Sequence, residues 1–193
     1  MNKVTQQDLL SHADYEQQRS SIRQQIIALK KRRRIAIGDL VTVIFENRDT
    51  IVYQIQEMLR TERIFDAGKI QDEIDVYNAL LPEAEELSAT LFIEITDSER
   101  IQELLDSFQE IDRSDTLAIR VGDQATYAEF EAGHSKEDKI SAVHFIRFKT
   151  QSPFRQLLGN FDIPASLSIT HPHYHAEVLV PKELREEWLK DLE

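Results

Sequence analysis

The spacing of apolar positions changes several times along the chain, and each change marks an element. Leu9, Leu10, Ile22, Ile26, Ile27 and Leu29 stand among polar residues. Their spacing predicts a short first helix and a longer one ending near Lys30. From Ile35 to Glu46 the chain turns β-branched and aromatic. Val41, Val43 and Phe45 alternate with Leu40, Thr42 and Ile44, so both faces are apolar, as in a buried strand introduced by a turn at Gly38-Asp39. Asp49 or Thr50 is placed to cap the next helix. Ile51, Ile55, Met58, Leu59 and Phe65 follow helical spacing up to Ala67-Gly68. Ile70, Ile74, Tyr77 and Leu81 extend into a further helix stopped by Pro82.

Leu87, Ala89, Leu91, Ile93 and Ile95 alternate strictly, which predicts a strand over 87–96. Asp97 or Ser98 opens a helix with Ile101, Leu104, Leu105, Phe108 and Ile111 on one face. Residues 115–121 and 125–131 read as a hairpin about Gly122-Asp123, and 132–139 as a polar loop. A strand over 140–150, a short helix from Phe154 to Leu158 and a strand from Ser166 to Thr170 follow. Pro181 opens a last helix that buries Leu184 and Trp188. The expected fold class is α+β, a largely antiparallel sheet of about five or six strands with helices packed on it. Residues 1–34 form a helical N-terminal arm with a basic end, and 35–193 the body of the same single domain.

Composition narrows the chemistry. Hydrophobic residues make up 41% of the 193, which suits a globular chain rather than a disordered one. Cysteine is absent, which excludes disulfides, thiolate nucleophiles and cysteine-held iron–sulfur clusters. No run of roughly 18 apolar residues exists to span a membrane. The polar stretch Met1 to Gln7 lacks the apolar centre of a signal peptide, so the expected compartment is the cytoplasm. The formal charge is -12, unevenly spread: residues 1–34 carry eight basic and three acidic side chains, a net of +5, which leaves -17 for the rest. An acidic body repels a phosphate backbone and argues against general nucleic-acid binding. An anionic ligand or acidic partner would meet Lys30, Lys31, Arg32, Arg33 and Arg34, whose bland alternative is a solvated patch at a helix C-terminus.

Histidine offers the first candidate site. In His171-Pro172-His173-Tyr174-His175, an extended backbone would put three imidazoles on one face, a tripod for zinc, iron or manganese. Pro172 argues against that continuity, and the alternative is a surface loop. His144 interrupts the apolar row Ile140, Ala142, Ile146 and Phe148, as a hydrogen-bonded core histidine or a ligand. Glu62 falls on the apolar stripe of the 51–65 helix, where a carboxylate needs a cation, a metal or a proton. Glu57 and Arg60, three apart, can pair beside it. Glu131 and His134 have a di-iron spacing, but Gly133 argues against the helix that spacing needs. A pocket shared by Glu62, His144 and His171 would satisfy three inward polar groups at once. No Gly-rich phosphate loop, Gly-x-Ser-x-Gly or His-Glu-x-x-His occurs.

Several segments together resemble a known family. They are Lys30–Arg34 with Ile-Ala-Ile-Gly38; Val41 to Arg48; Gln54 to Arg60 with Glu62-Arg63-Ile64; Ser141 to Phe148; and His171-Pro172-x-Tyr174. In order and spacing they are similar to the uncharacterised bacterial family catalogued as domain of unknown function 3501, over nearly the whole chain. The resemblance implies a gene neighbourhood holding a rubrerythrin-like protein and an iron–sulfur oxidoreductase, hence a role near peroxide defence or electron transfer. It carries over Glu57, Arg60, Glu62, His144, His171 and Tyr174 as a candidate pocket; the polar interruptions of apolar rows, rather than the resemblance, offer His144, His171 and Glu62 as metal ligands. The expected function is a non-catalytic accessory factor of a redox system that binds a partner protein and a divalent metal. The rivals are a metal-dependent enzyme with a Glu/His site and a small-anion or nucleotide sensor using the basic run.

Overall fold

The computed structural model describes residues 1–131, 135–136 and 139–193. A one-turn 3-10 helix, Gln6–Asp8, leads into α1 (His12–Arg32), which is capped by the Ser11 side chain. The hairpin β1 (Arg34–Ile37) and β2 (Val41–Glu46) follows, then α2 (Arg48–Thr61), α3 (Ala67–Asn78) and β3 (Glu86–Ile93). Next come α4 (Ile101–Asp106), β4 (Leu117–Val121) and β5 (Gln124–Phe130). The two-residue strands β6 (Ser135–Lys136) and β7 (Lys139–Ile140) pair with each other. The chain ends with β8 (Val143–Lys149), α5 (Phe154–Gly159), β9 (Ala165–His171), β10 (Tyr174–Leu179) and α6 (Lys182–Asp191).

Eight strands form one sheet in the order β1-β2-β3-β8-β5-β4-β9-β10, with every ladder antiparallel. The two ends of that order meet, so the sheet curls into a nearly closed barrel. Tyr174 on β10 latches the seam: its hydroxyl donates to the Ile37 carbonyl of β1 at 2.6 Å and accepts from the Leu40 N–H at 3.2 Å. Gly38 beside it has φ +69, and a Cβ there would overlap the Tyr174 hydroxyl. Both the turn and the close approach call for glycine.

This corrects the expected sheet of five or six strands with helices packed on it. The strand expected after the turn at Gly38-Asp39 is β2, and the residues before that turn, read as no element, form its hairpin partner β1. The chain after His171 turns at Pro172-His173 and returns as β10. The two strands of the eight-stranded sheet that pattern reading missed are the two that meet at the seam, and the expected loop 132–139 holds β6 and the start of β7. β10 was illegible because only Tyr174, Ala176 and Val178 face the core, half-buried, while His175, Glu177 and Leu179 face out.

Inward residues of all eight strands supply the main core, among them Val43, Phe45, Leu91, Ile119, Phe148 and Leu167. Phe154 and Leu158 of α5, and Leu184 and Trp188 of α6, complete it. Trp188 is fully buried, 4.7 Å from the Phe45 ring centroid, so the last helix docks as its sequence predicts. A second, smaller core lies outside the barrel. Ile51, Ile55 and Leu59 of α2 and Ile74 of α3 pack there with Leu80, Leu81 and Phe145. The cap of α2 is Asn47, two residues before Asp49 and three before Thr50; its oxygen accepts from Thr50 N–H at 3.0 Å.

Candidate functional site

α1 runs antiparallel along α2, because its first half meets the end of α2 and its last half the beginning. Leu10 N–H donates to Gln56 Oε1 at 2.7 Å, and Tyr15 and Arg19 both reach Glu57. Glu57 accepts from Arg19 through Nε and Nη2, each at 2.7 Å, and from the Tyr15 hydroxyl at 2.6 Å. The Arg19 hydrogen bonds, helped by Tyr15, outweigh partial burial and hold the Glu57 carboxyl down to about 2. Burial and the Glu57 charge push the Tyr15 hydroxyl up. Glu57 is thus an ionised hinge pin between two helices. Arg60 pairs with Glu16 of α1, while Glu62 is exposed at the C-cap of α2.

The histidines sit elsewhere. His144 is buried on β8, opposite Leu91, and its Nε2 is 2.7 Å from the Ser141 carbonyl. That carbonyl can only accept, so Nε2 carries the proton. His171 ends β9, stacked near Phe108. Its Nε2 donates to the Gln109 carbonyl at 2.7 Å and its Nδ1 accepts from His173 N–H at 3.3 Å. Both nitrogens of His171 are therefore spent on backbone, in the neutral form. β8 and β9 are separated in the sheet by β5 and β4. The structure does not bring Glu62 to His144 and His171, and among the described residues no three His, Asp or Glu side chains are grouped to hold a metal ion. His173 and His175 are exposed on the turn and outer face, so the three-histidine tripod does not form. His134 lies outside the described residues. Tyr174 serves the barrel seam.

The basic run divides. Arg33 is fully buried: it donates to the Phe45 and Glu46 carbonyls and pairs with Glu187 and Asp191 of α6. Burial would raise the Glu187 carboxyl, but Lys190 and Arg33 hold it below its ordinary value; burial wins at Asp191, which is raised. Arg32 also reaches Glu187, and Arg34 pairs with Glu94. Among the described residues only Lys30 and Lys31 of the run make no ion pair. Arg33 is a structural cation rather than part of a surface patch.

Between α1 and α2 lies an open cleft of about 510 Å³. Ile22, Ile26 and Leu29 of α1 face Val52 and Tyr53 of α2 across it, with Arg32, Arg48 and Asp49 at one end and Leu10, Tyr15 and Gln56 at the other. Sequence reading marked the neighbouring Glu57 and Arg60 but missed Gln56 and Arg48. A signal existed for Gln56, a polar residue four after Val52 and three before Leu59 on the inward stripe. Arg19 had none, because its partner lies 38 residues away.

A family model described as protein of unknown function (DUF3501) matches residues 3–192. A crystal structure of a novel protein of unknown function from Burkholderia pseudomallei K96243 is similar throughout, at 33% identity and TM-score 0.91, with 100% of each chain covered. No curated protein matches the chain.

Proposed function

We propose that this chain, which belongs to the family of proteins of unknown function DUF3501, is a non-catalytic accessory factor that binds an acidic partner protein through α1. The supporting observation is the exposure of that helix. α1 is 21 residues long yet buries only Tyr15 and Ile26. Its outer face carries Arg23, Ile27, Lys30 and Lys31, with Ile27 52% exposed. These positions recur at helical spacing and form a cationic face with an apolar centre, on a chain whose remainder is strongly acidic. A partner with an acidic surface complements that face and is repelled by the rest of the molecule. The redox or peroxide-stress setting comes from the gene neighbourhood the resemblance implies, which names a rubrerythrin-like protein and an iron–sulfur oxidoreductase as the partners to try.

The test is association of the purified chain with each of those two proteins, measured over a range of salt. Lys30→Glu with Lys31→Glu should slow association most at low salt, because steering by exposed charge is screened beyond a Debye length of about 8 Å at physiological ionic strength. No complex with either protein, or an association rate indifferent to both salt and the double substitution, would overturn the proposal.

A further inference from the structure

The outer face of α1 is complementary to a second copy of itself. We propose that two chains pair through this face, each α1 lying antiparallel on the other about a two-fold axis level with Ile22. Ala13, Gln17, Ser20, Gln24, Ile27 and Lys31 are all exposed. They recur at alternating steps of four and three residues, the spacing by which two helices pair. The stripe lies on the side of α1 away from Tyr15 and Ile26, the two residues this helix buries. Antiparallel pairing about Ile22 brings the stripe onto itself. Ala13 then faces Lys31 of the other copy, Gln17 faces Ile27, and Ser20 faces Gln24. Alanine and serine let the two helices approach closely, and Ile27, now 52% exposed, is covered.

Charge selects both the occupant and its direction. The exposed charges in the first half of α1 are acidic, Asp14 and Glu16, because Arg19 is turned to Glu57. Those in the second half are basic, Arg23, Lys30 and Lys31. Glu16, Arg23 and Lys30 are seven residues apart in turn and line one flank of the stripe. Antiparallel pairing sets Glu16 of each copy beside Lys30 of the other, twice over. Parallel pairing would set like charge on like. Glu16 meets Arg60 at 2.6 Å but stays 42% exposed, and Lys30 makes no ion pair among the described residues. Arg23 meets its own copy near the axis and opposes the contact. A standard interface takes roughly 800 Å² from each partner, and one helix with a mostly polar stripe offers less. The pairing is therefore weak, reversible and sensitive to salt. It covers the face offered above to an acidic partner protein, but it does not rest on that reading and is tested without the partner.

Sedimentation equilibrium of the full chain, between about 1 µM and 1 mM, tests the proposal. The parent should pass from one chain to two within that range, and added salt should weaken the dimer. Glu16→Lys and Lys30→Glu each set like charges together at both flank contacts, so each alone should weaken dimerisation about tenfold. Mixed in equal amounts, the two variants should dimerise as well as the parent, because every flank contact then joins opposite charges. Arg23→Gln should tighten the dimer by removing the opposed pair at the axis. Thermal unfolding checks that Glu16→Lys folds without its Arg60 pair. If it does not, Ile27→Asp, at an exposed position, takes its place and should abolish the dimer. A single chain at about 1 mM in low salt, a dimer untouched by these substitutions, or a mixture no better paired than its separate variants would each overturn the proposal.

Discussion

Four arginines separate the two halves of the molecule. At the barrel, Arg33 and Arg185 are buried and fully used. Arg185 donates to four carbonyls, those of Leu157, Leu158, Asn160 and Ile163, and so gathers the end of α5. Burial pulls its pKa down, but nothing deprotonates it near neutrality. Arg33 ties the end of α1 to α6 through two carboxylates and two carbonyls. On α2 the pattern changes. Arg48 leaves its Nε unmatched, and Arg60 Nε lies 2.6 Å from Glu16 Oε1 without hydrogen-bond geometry. At Arg33 and Arg185 each guanidinium nitrogen has a hydrogen-bond partner, whereas Arg48 and Arg60 each join helical segments through one ion pair. Under the proposed function the barrel is the scaffold and the exposed face of α1 the recognition surface.

Substitutions should follow that division in size. Trp188→Ala removes the plug against Phe45 and should cost about 4 kcal/mol in denaturant unfolding. A loss under about 1 kcal/mol would deny α6 its role. Arg33→Ala strands Glu187 and Asp191 in a buried site and should cost about 3 kcal/mol, seen as a lower midpoint in urea with little change in slope. For the same reason charge reversal at Arg33 is a poor probe of partner binding, since it unfolds what it is meant to test. Tyr174→Phe opens the seam without emptying it and should cost about 1–2 kcal/mol.

The smallest effect belongs to the helix pair. Glu57 is held from 4.5 down to about 2, so its contribution is fully present above 4.5 and is lost as pH falls through about 2. Glu57→Gln should therefore cost about 1 kcal/mol at neutral pH, after allowance for the partly exposed pair, and should flatten the acid limb of stability in that window. A variant as acid-sensitive as the parent between pH 4.5 and 2 would show that Glu57 is not the pin between α1 and α2.

Legibility in the sequence followed burial. Strands with a long inward row, β3, β4, β8 and β9, stood out, because that row is apolar but for His144 on β8 and His171 at the end of β9. β1 and β10 did not, since β1 is four residues long and continues the basic run, and β10 buries its inner face only partly. With the seam strands unread, closure was invisible, and an open sheet was the natural expectation. Of the three polar residues expected on inward rows, His144 and His171 are buried and Glu62 is exposed. The two histidines found partners in the backbone of nearby turns, at Ser141 and Gln109, which no periodicity reveals. Glu62 lay on the apolar stripe in projection, but α2 ends at Thr61 and the chain turns outward through Arg63 at φ +52. Arg33 looked like one of five equivalent cations; only the return of α6 to the end of α1 distinguishes it.

Hydrogen exchange of the chain, alone and with saturating rubrerythrin-like protein or iron–sulfur oxidoreductase, tests the division between scaffold and recognition face most directly. Amides of α1, His12–Arg32, and with them those of α2, Arg48–Thr61, should slow on complex formation, while those of β3, β8 and β9 stay as they were. Slowing confined to the barrel strands or to α6, or no slowing with either partner, would contradict the account.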